Sequence, residues 1–365
     1  MRTSINRPNL AWLSISIFSG ALALTGCGDD SSGGGAGGAA GNSGSGASGG
    51  SGASGGSGAS GGSGASGGSA GAAGGGGAVA HPSLGGCRMF PADNPWNTDI
   101  SGYALHPDSA TFINSIGANG RLHADFGTEW EGAPIGIPYV VVPQNQPMVP
   151  ISFGVADESD PGPYPVPADA PIEGGPGSGG DRHVLVLQQG ACKLFELYSA
   201  FPQGSGTSWD ASSGAVFDLS SNALRPDHWT SADAAGLPIL PGLVRYDEVV
   251  EQGEILHAIR FTVSTSQNGY IAPATHSAGS GGAGDPPMGL RLRLKADADC
   301  SGLSTEVQVI CTAMKRFGLI VADNGSNWYV SGAHDMRWSD ENLSDIAQLR
   351  GNQFEVVDTG PITPW

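Results

Sequence analysis

The chain has 365 residues, 39% of them hydrophobic, and sets 16 Lys and Arg against 34 Asp and Glu for a formal net charge of −18 at pH 7. So acidic a balance lacks the clustered positive charge that phosphate backbones and anionic headgroups require, which argues against nucleic acid as a partner. With 61 glycines and 25 prolines, the composition also points to extensive turn and coil rather than long helices.

At the N-terminus, Arg2 and Arg7 precede an apolar stretch over residues 10 to 24 that Ser14, Ser16, Ser19 and Gly20 interrupt. It is too short and broken for a membrane span and has the order of an export signal. The tetrad that follows, Leu24-Thr25-Gly26-Cys27, resembles a bacterial lipobox. The resemblance implies removal of residues 1–26 and lipid attachment at Cys27, which also accounts for an otherwise odd thiol in an exported chain. Residues 27–80 are almost entirely Gly, Ser and Ala, with too few apolar side chains to offset the entropy of ordering, and so predict a flexible tether spanning roughly 40 Å on average. Such a tether holds the acidic body away from anionic headgroups, so the membrane is expected as an attachment through the lipid only. Gly28 stands where an aspartate would favour inner-membrane retention, which makes the outer membrane or cell surface the expected address.

Residues 81–365 read as one β-rich domain. Arg2, Arg7, Asp29 and Asp30 cancel, so this part carries the whole charge of −18. Period-two alternation predicts strands over residues 137 to 142, 149 to 155, 183 to 187, 193 to 200, 243 to 249, 255 to 263 and 289 to 295, because alternate side chains of a strand face opposite sides. Short connections predict hairpins joining 183–187 to 193–200 and 243–249 to 255–263. Helices are expected over 108 to 116, 304 to 317 and 339 to 349, with Val307, Ile310, Met314 and Phe317 forming the apolar stripe of the second. The fold class these elements suggest is mainly β, an antiparallel, jelly-roll-like β-sandwich with two or three short helices, with a break near Asp285 as the alternative domain boundary. Cys87, Cys192, Cys300 and Cys311 make an even number in an exported chain and favour two disulfides. The preferred pairing is Cys87 with Cys192 and Cys300 with Cys311, though three connectivities are open.

Four segments, Ala92-Asp-Asn-Pro-Trp-Asn-Thr-Asp-Ile-Ser101, Asp157-Glu-Ser-Asp-Pro-Gly-Pro-Tyr-Pro165, Gly236-Leu-Pro-Ile-Leu-Pro-Gly-Leu-Val-Arg-Tyr-Asp-Glu248 and Val321-Ala-Asp-Asn-Gly-Ser-Asn-Trp328, resemble an uncharacterised family of exported bacterial proteins. The resemblance covers most of residues 87 to 360 and implies no activity.

Candidate chemistry therefore rests on the residues themselves. Nucleophile-elbow, zincin, phosphate-loop and EF-hand patterns are missing from the sequence. The connection from residue 156 to 182 is longer than a compact domain normally tolerates without purpose. It carries Asp157, Glu158, Asp160, Tyr164, Glu173 and Asp181 and ends at His183. Paired carboxylates there suit general acid and base work on a glycan, or oxygen ligation of Ca²⁺, against the plainer reading of a solvated acidic loop. His183, His257 and His276 offer a histidine-bound metal as a second possibility, against three separate structural histidines. Arg245, Arg260, Arg291, Arg293 and Lys295 fall on expected strands, where a shared basic face with Tyr246 would suit uronate sugars; the alternative is pairing with the domain's own acids. Trp229 and five other tryptophans stand in loop-like contexts, as sugar-stacking platforms or as core plugs. These readings favour an envelope-anchored domain acting on extracellular polysaccharide as a glycan hydrolase or lyase. The rival is a noncatalytic carbohydrate-binding or adhesion module.

Overall fold

The structure is a computed structural model that describes residues 81–365; the expected leader, the lipidated Cys27 and the tether lie outside the described residues. The described residues belong to one compact unit. It is mainly β, with a few short helices and several separate sheets.

The strands that build it are β1 (His123–Asp125), β2 (Tyr139–Val142), β3 (Ile151–Phe153), β4 (Val184–Gln188), β5 (Lys193–Tyr198), β6 (Phe201–Gln203), β7 (Ser208–Ala211), β8 (Ser213–Asp218), β9 (Ile259–Val263), β10 (Arg291–Leu294), β11 (Leu319–Asn324), β12 (Tyr329–Ser331) and β13 (Phe354–Val356). Helices α1 (Ser109–Ile116), α2 (Thr305–Arg316) and α3 (Asp340–Ser344) accompany them. The largest sheet has six strands in the order β13-β10-β11-β9-β12-β1, the next has four in the order β8-β5-β4-β2, and a third has three, β6-β7-β3.

The sheets are mixed, which corrects the purely antiparallel expectation. β9 runs parallel to β11, β12 to β1, β2 to β4 and β7 to β3. Parallel neighbours need long crossovers, and here the partners are far apart in sequence: Tyr329 pairs with His123. Local alternation cannot reveal such pairings.

The four-stranded sheet is buried on both faces, as its run Val184–Gln188 requires. Leu185, Leu187 and Leu194 enter the main core shared with the six-stranded sheet, while Val184, Val186, Phe195 and Leu197 enter a second core with Tyr164, Val166, Ile172 and Trp209. The long acidic connection is therefore not splayed into solvent; its apolar residues cover the outer face of this sheet. Tyr164, expected to touch substrate, is fully buried there beside Phe153 and Phe195, and its hydroxyl donates to the Asp160 carbonyl.

The hairpin from β4 to β5 forms as expected, but the one expected over residues 243 to 263 does not. Asp247–Gln252 is a single π-helical turn instead, with Gly253 closing it at positive φ. Asp247 and Glu248 sit at its start, where carboxylates favour the dipole, and Arg245 reaches forward to Glu248 at 2.7 Å, a pairing that a strand would have pointed apart. Both disulfides join the preferred partners, Cys87 to Cys192 and Cys300 to Cys311. The first fastens the short hairpin near residue 87 to the β4–β5 turn across 105 residues, a closure contributing about 5 kcal/mol in the chain-entropy account.

Candidate functional site

The inner face of the β4–β5 hairpin presents His183 and Tyr198, whose rings lie 5.5 Å apart, together with Glu196. Opposite stand Arg260 on β9, Asp323 on β11, Ser331 on β12 and Asp125 at the end of β1. The loop from Glu173 to Asp181 closes one side and Asp233 the floor. Two sheets and two loops thus converge five carboxylates, Asp125, Glu173, Asp181, Asp233 and Asp323, on one arginine and one histidine within electrostatic reach of each other.

The floor is fully committed. Asp233 accepts from Arg260 Nη2 at 2.7 Å and Nε at 3.2 Å, and from the Ala235 amide, while Arg260 Nη1 donates to Ser331 Oγ at 3.0 Å. His183 donates Nε2–H to the Ala232 carbonyl at 3.0 Å and contacts Glu173 Oε2 through Nδ1 at 2.6 Å. A carbonyl can only accept, so with Glu173 ionised both ring nitrogens carry protons and His183 is a cation. Burial alone would lower its pKa, but Glu173 and then Asp181 raise it to about 9. Reciprocally, burial would raise Glu173, and the His183 charge and hydrogen bonds hold it below the ordinary carboxylate value.

The rim behaves oppositely. Burial, then the like charge of Glu173, raise Asp125 to about 6, with Asp181 adding to it and Arg260 opposing. Asp125 is exposed as a residue, so water offsets part of the burial contribution and the like charge is the firmer cause. Asp323, 3.9 Å from Arg260 Nη2 rather than 2.7 Å like Asp233, is raised to about 7 by burial and by Asp233. Burial raises Asp233 as well, opposed by its closer contact with Arg260. Burial and the facing carboxylates push Tyr198 up to about 12, so it is no ready base. Glu196, raised to about 7 by burial, accepts the Ile239 and Leu240 amides and serves as a structural staple.

One residue organises the loop that carries the two ends of this rim. Arg182, buried at positive φ between Asp181 and His183, donates Nε to the Ala200 carbonyl and Nη1 to the carbonyls of Pro176 and Ser178, and lies 4.2 Å over the Phe201 ring. In a loop holding five glycines between residues 174 and 180, that guanidinium substitutes for a core.

The remaining expected residues form other groupings. Glu158 and Asp160 gather on Arg225, which bonds the Asp160 carboxylate and the Glu158 carbonyl, and Glu158 lies 3.9 Å from His276. Trp229 is half-buried, 5.6 Å from the same guanidinium. Asp157 is exposed and joins neither grouping. The basic face does not exist. Arg245 is fully buried on Asp247, Glu248 and the Ser83 carbonyl; Arg291 is buried against the carbonyls of Pro95 and Phe317; and Arg293 pairs with Glu355. Tyr246 lies under Arg337 and against Trp338. His257, expected on a strand face, precedes β9 and bonds Glu248 at 3.1 Å. Among the described residues no three His, Cys, Asp or Glu side chains are grouped as metal ligands.

Glu173, Asp181, His183 and Arg260 were visible in the sequence, but Asp125, Asp233, Asp323 and Tyr198 were not. The fold and site together define a β-rich domain with a half-open carboxylate cluster over a buried cationic floor. No protein-family model matches the chain, and no curated protein or solved structure shows significant similarity to it.

Proposed function

We propose that the chain is a lipoprotein held in the cell envelope through Cys27, and that its domain, a sandwich of the four- and six-stranded sheets, hydrolyses glycosidic bonds of an extracellular polysaccharide. One arrangement carries the catalytic reading: buried His183 contacts Glu173 Oε2 at 2.6 Å and favours its ionised form, while the like charge of Glu173 pushes the exposed Asp125 toward the protonated state. Two carboxyl groups whose environments drive their protonation apart are the acid and base that glycoside hydrolysis needs. Asp125, on the exposed rim, donates a proton to the departing glycosidic oxygen as the carbon–oxygen bond breaks. Glu173 takes a proton from the attacking water or forms the transient glycosyl ester itself.

Hydrolysis fits better than β-elimination. A lyase needs a free cation for the uronate carboxylate and a ready base, whereas Arg260 is occupied by Asp233 and Ser331, and Tyr198 is pushed up to about 12. A site rimmed by carboxylates also repels uronates, so a neutral or amino sugar is the expected substrate. Incubating the full chain with a panel of neutral and acidic polysaccharides tests this. Release of reducing ends without absorbance from unsaturated products is expected. Unsaturated products, or no product from any polymer, overturn the reading.

A further inference from the structure

Glu158 and His276, remote in sequence, lie 3.9 Å apart beside the segment that forms the floor of the acidic cluster. Three consecutive residues link the two places: His183 bonds the Ala232 carbonyl, Arg260 the Asp233 carboxylate, and His276 Nδ1 donates to the Ala234 carbonyl at 2.7 Å. Ala232 and Ala234 are two peptide units apart, at most about 7 Å, so the two places are neighbours in the fold.

His276 differs from the other two buried histidines. Its side chain is 7% exposed, yet only Nδ1 has a hydrogen-bond partner; Nε2 points toward Glu158 Oε2 at 3.9 Å, beyond bonding distance. Because Nδ1 gives its proton to a carbonyl, Nε2 is left as a lone-pair acceptor, and burial keeps the ring neutral by lowering its pKa. The backbone around it is rigid: the Thr275 and His276 amides both bond the Ala235 carbonyl, and the His228 amide bonds that of Thr275. Over this acceptor stands an aromatic wall. The Trp365 ring meets the rings of His276 and His228 edge-on at 4.6 Å each, and Tyr270 lies 6.3 Å away with its hydroxyl donating to Asp227. Trp365 keeps 43% of its surface in water, and Asp227 and His228 are also exposed.

We infer that the surface formed by His276, Glu158 and the Trp365 ring is a sugar-binding subsite, taking one uncharged, hydroxyl-bearing pyranose unit of a chain whose neighbouring units extend toward the acidic cluster. This rests on the proposed hydrolase reading for the direction of the chain but not for the binding itself. A hydroxyl donates to His276 Nε2 and a second to the Glu158 carboxylate, while the apolar ring face stacks on the indole. Glu158 and Asp227 exclude uronate units by charge.

The test is calorimetric titration of the full chain with the hexasaccharides of cellulose, xylan, chitin and polygalacturonate, repeated on Trp365→Ala, His276→Gln and Asp125→Asn. Binding of at least one uncharged hexasaccharide, weakened about tenfold or more in Trp365→Ala and His276→Gln and by a smaller factor in Asp125→Asn, is expected. Trp365→Ala removes only a half-exposed ring, so it remains informative if His276→Gln fails to fold. Binding indifferent to both substitutions, preference for polygalacturonate, or no binding to any of the four overturns the subsite. Binding that persists in a protein hydrolysing none of the polymers leaves the subsite standing and removes the hydrolase reading, so the two failures are distinguishable.

Discussion

Two clusters in this domain are made from the same parts and differ in what is left over. In the first, Arg245, Glu248 and His257 are each 2% exposed or less, and Asp247 completes the set from the edge. Each charge has an opposite neighbour and solvent reaches almost none of it. In the second, Arg260, Asp233 and His183 form an equally buried floor, but Glu173 and Asp323 keep 24% and 25% of their side chains in water and Asp125 and Asp181 are exposed. Perturbed carboxylates alone do not distinguish the two, since buried ion pairs shift pKa values wherever they occur. The surplus of acid over base at a surface that substrate can reach does distinguish them.

The comparison can be broken most forcefully at the closed cluster. Glu248→Ala leaves Arg245 and the His257 ring buried without their carboxylate, which costs about 3–5 kcal/mol. Denaturant titration is expected to show that loss, with activity per folded molecule unchanged. At the open cluster the reverse holds. Asp125→Asn touches an exposed rim residue, so its melting temperature stays within about a degree of the parent, while kcat/KM falls about 10²–10⁴-fold, the usual contribution of a positioned acid. If Asp125→Asn keeps full activity, the assignment of the acid is wrong.

The pH dependence sharpens the contrast. The folded pKa of His183, about 9, lies above the value of about 6.5 for a free histidine. Its contribution to stability is therefore complete below about pH 6.5 and is lost as pH rises toward 9, a difference of order 3 kcal/mol. Urea midpoints measured across that interval should fall in the parent and flatten in His183→Gln. Activity has its own window, because the competent form has Asp125 protonated and Glu173 ionised. The rate declines as pH rises through about 6 and declines again at low pH, where Glu173 gains a proton. His183→Gln removes the cation that depresses Glu173, so its acid limb moves to higher pH. A limb that stays put would show that His183 does not set the ionisation of Glu173.

The contrast between the clusters also explains what the sequence disclosed. Glu173, Asp181 and His183 stand out because they end a long connection without periodicity, and the β4–β5 hairpin and the α2 stripe are local patterns. Asp323 is the next-to-last residue of the run Leu-Ile-Val-Ala-Asp-Asn of β11, and Asp125 ends a three-residue strand. Neither has a local signal, because parallel pairing across some two hundred residues brings β1 into the sheet. Arginine was misleading for a related reason. Arg291 alternates as though it faced solvent, yet it turns to the carbonyls of Pro95 and Phe317, backbone acceptors that alternation cannot show.

The smallest effect is expected at Arg182, and it separates holding a carboxylate in place from setting its charge. Its guanidinium serves three carbonyls at once and stacks over Phe201. A lysine ammonium keeps the charge but has no planar fork to span those acceptors. Arg182→Lys should therefore loosen the loop that ends in Glu173 and Asp181 without touching the His183 to Glu173 contact. The expected result is roughly a tenfold lower kcat, since small misplacement of a reacting group is costly, with both limbs of the pH profile unmoved and about 1 kcal/mol less stability. A displaced acid limb in Arg182→Lys would mean that the loop and the His183 pair are one unit. Positioning and ionisation would then be inseparable at this rim, unlike the closed cluster, where neither has a substrate to serve.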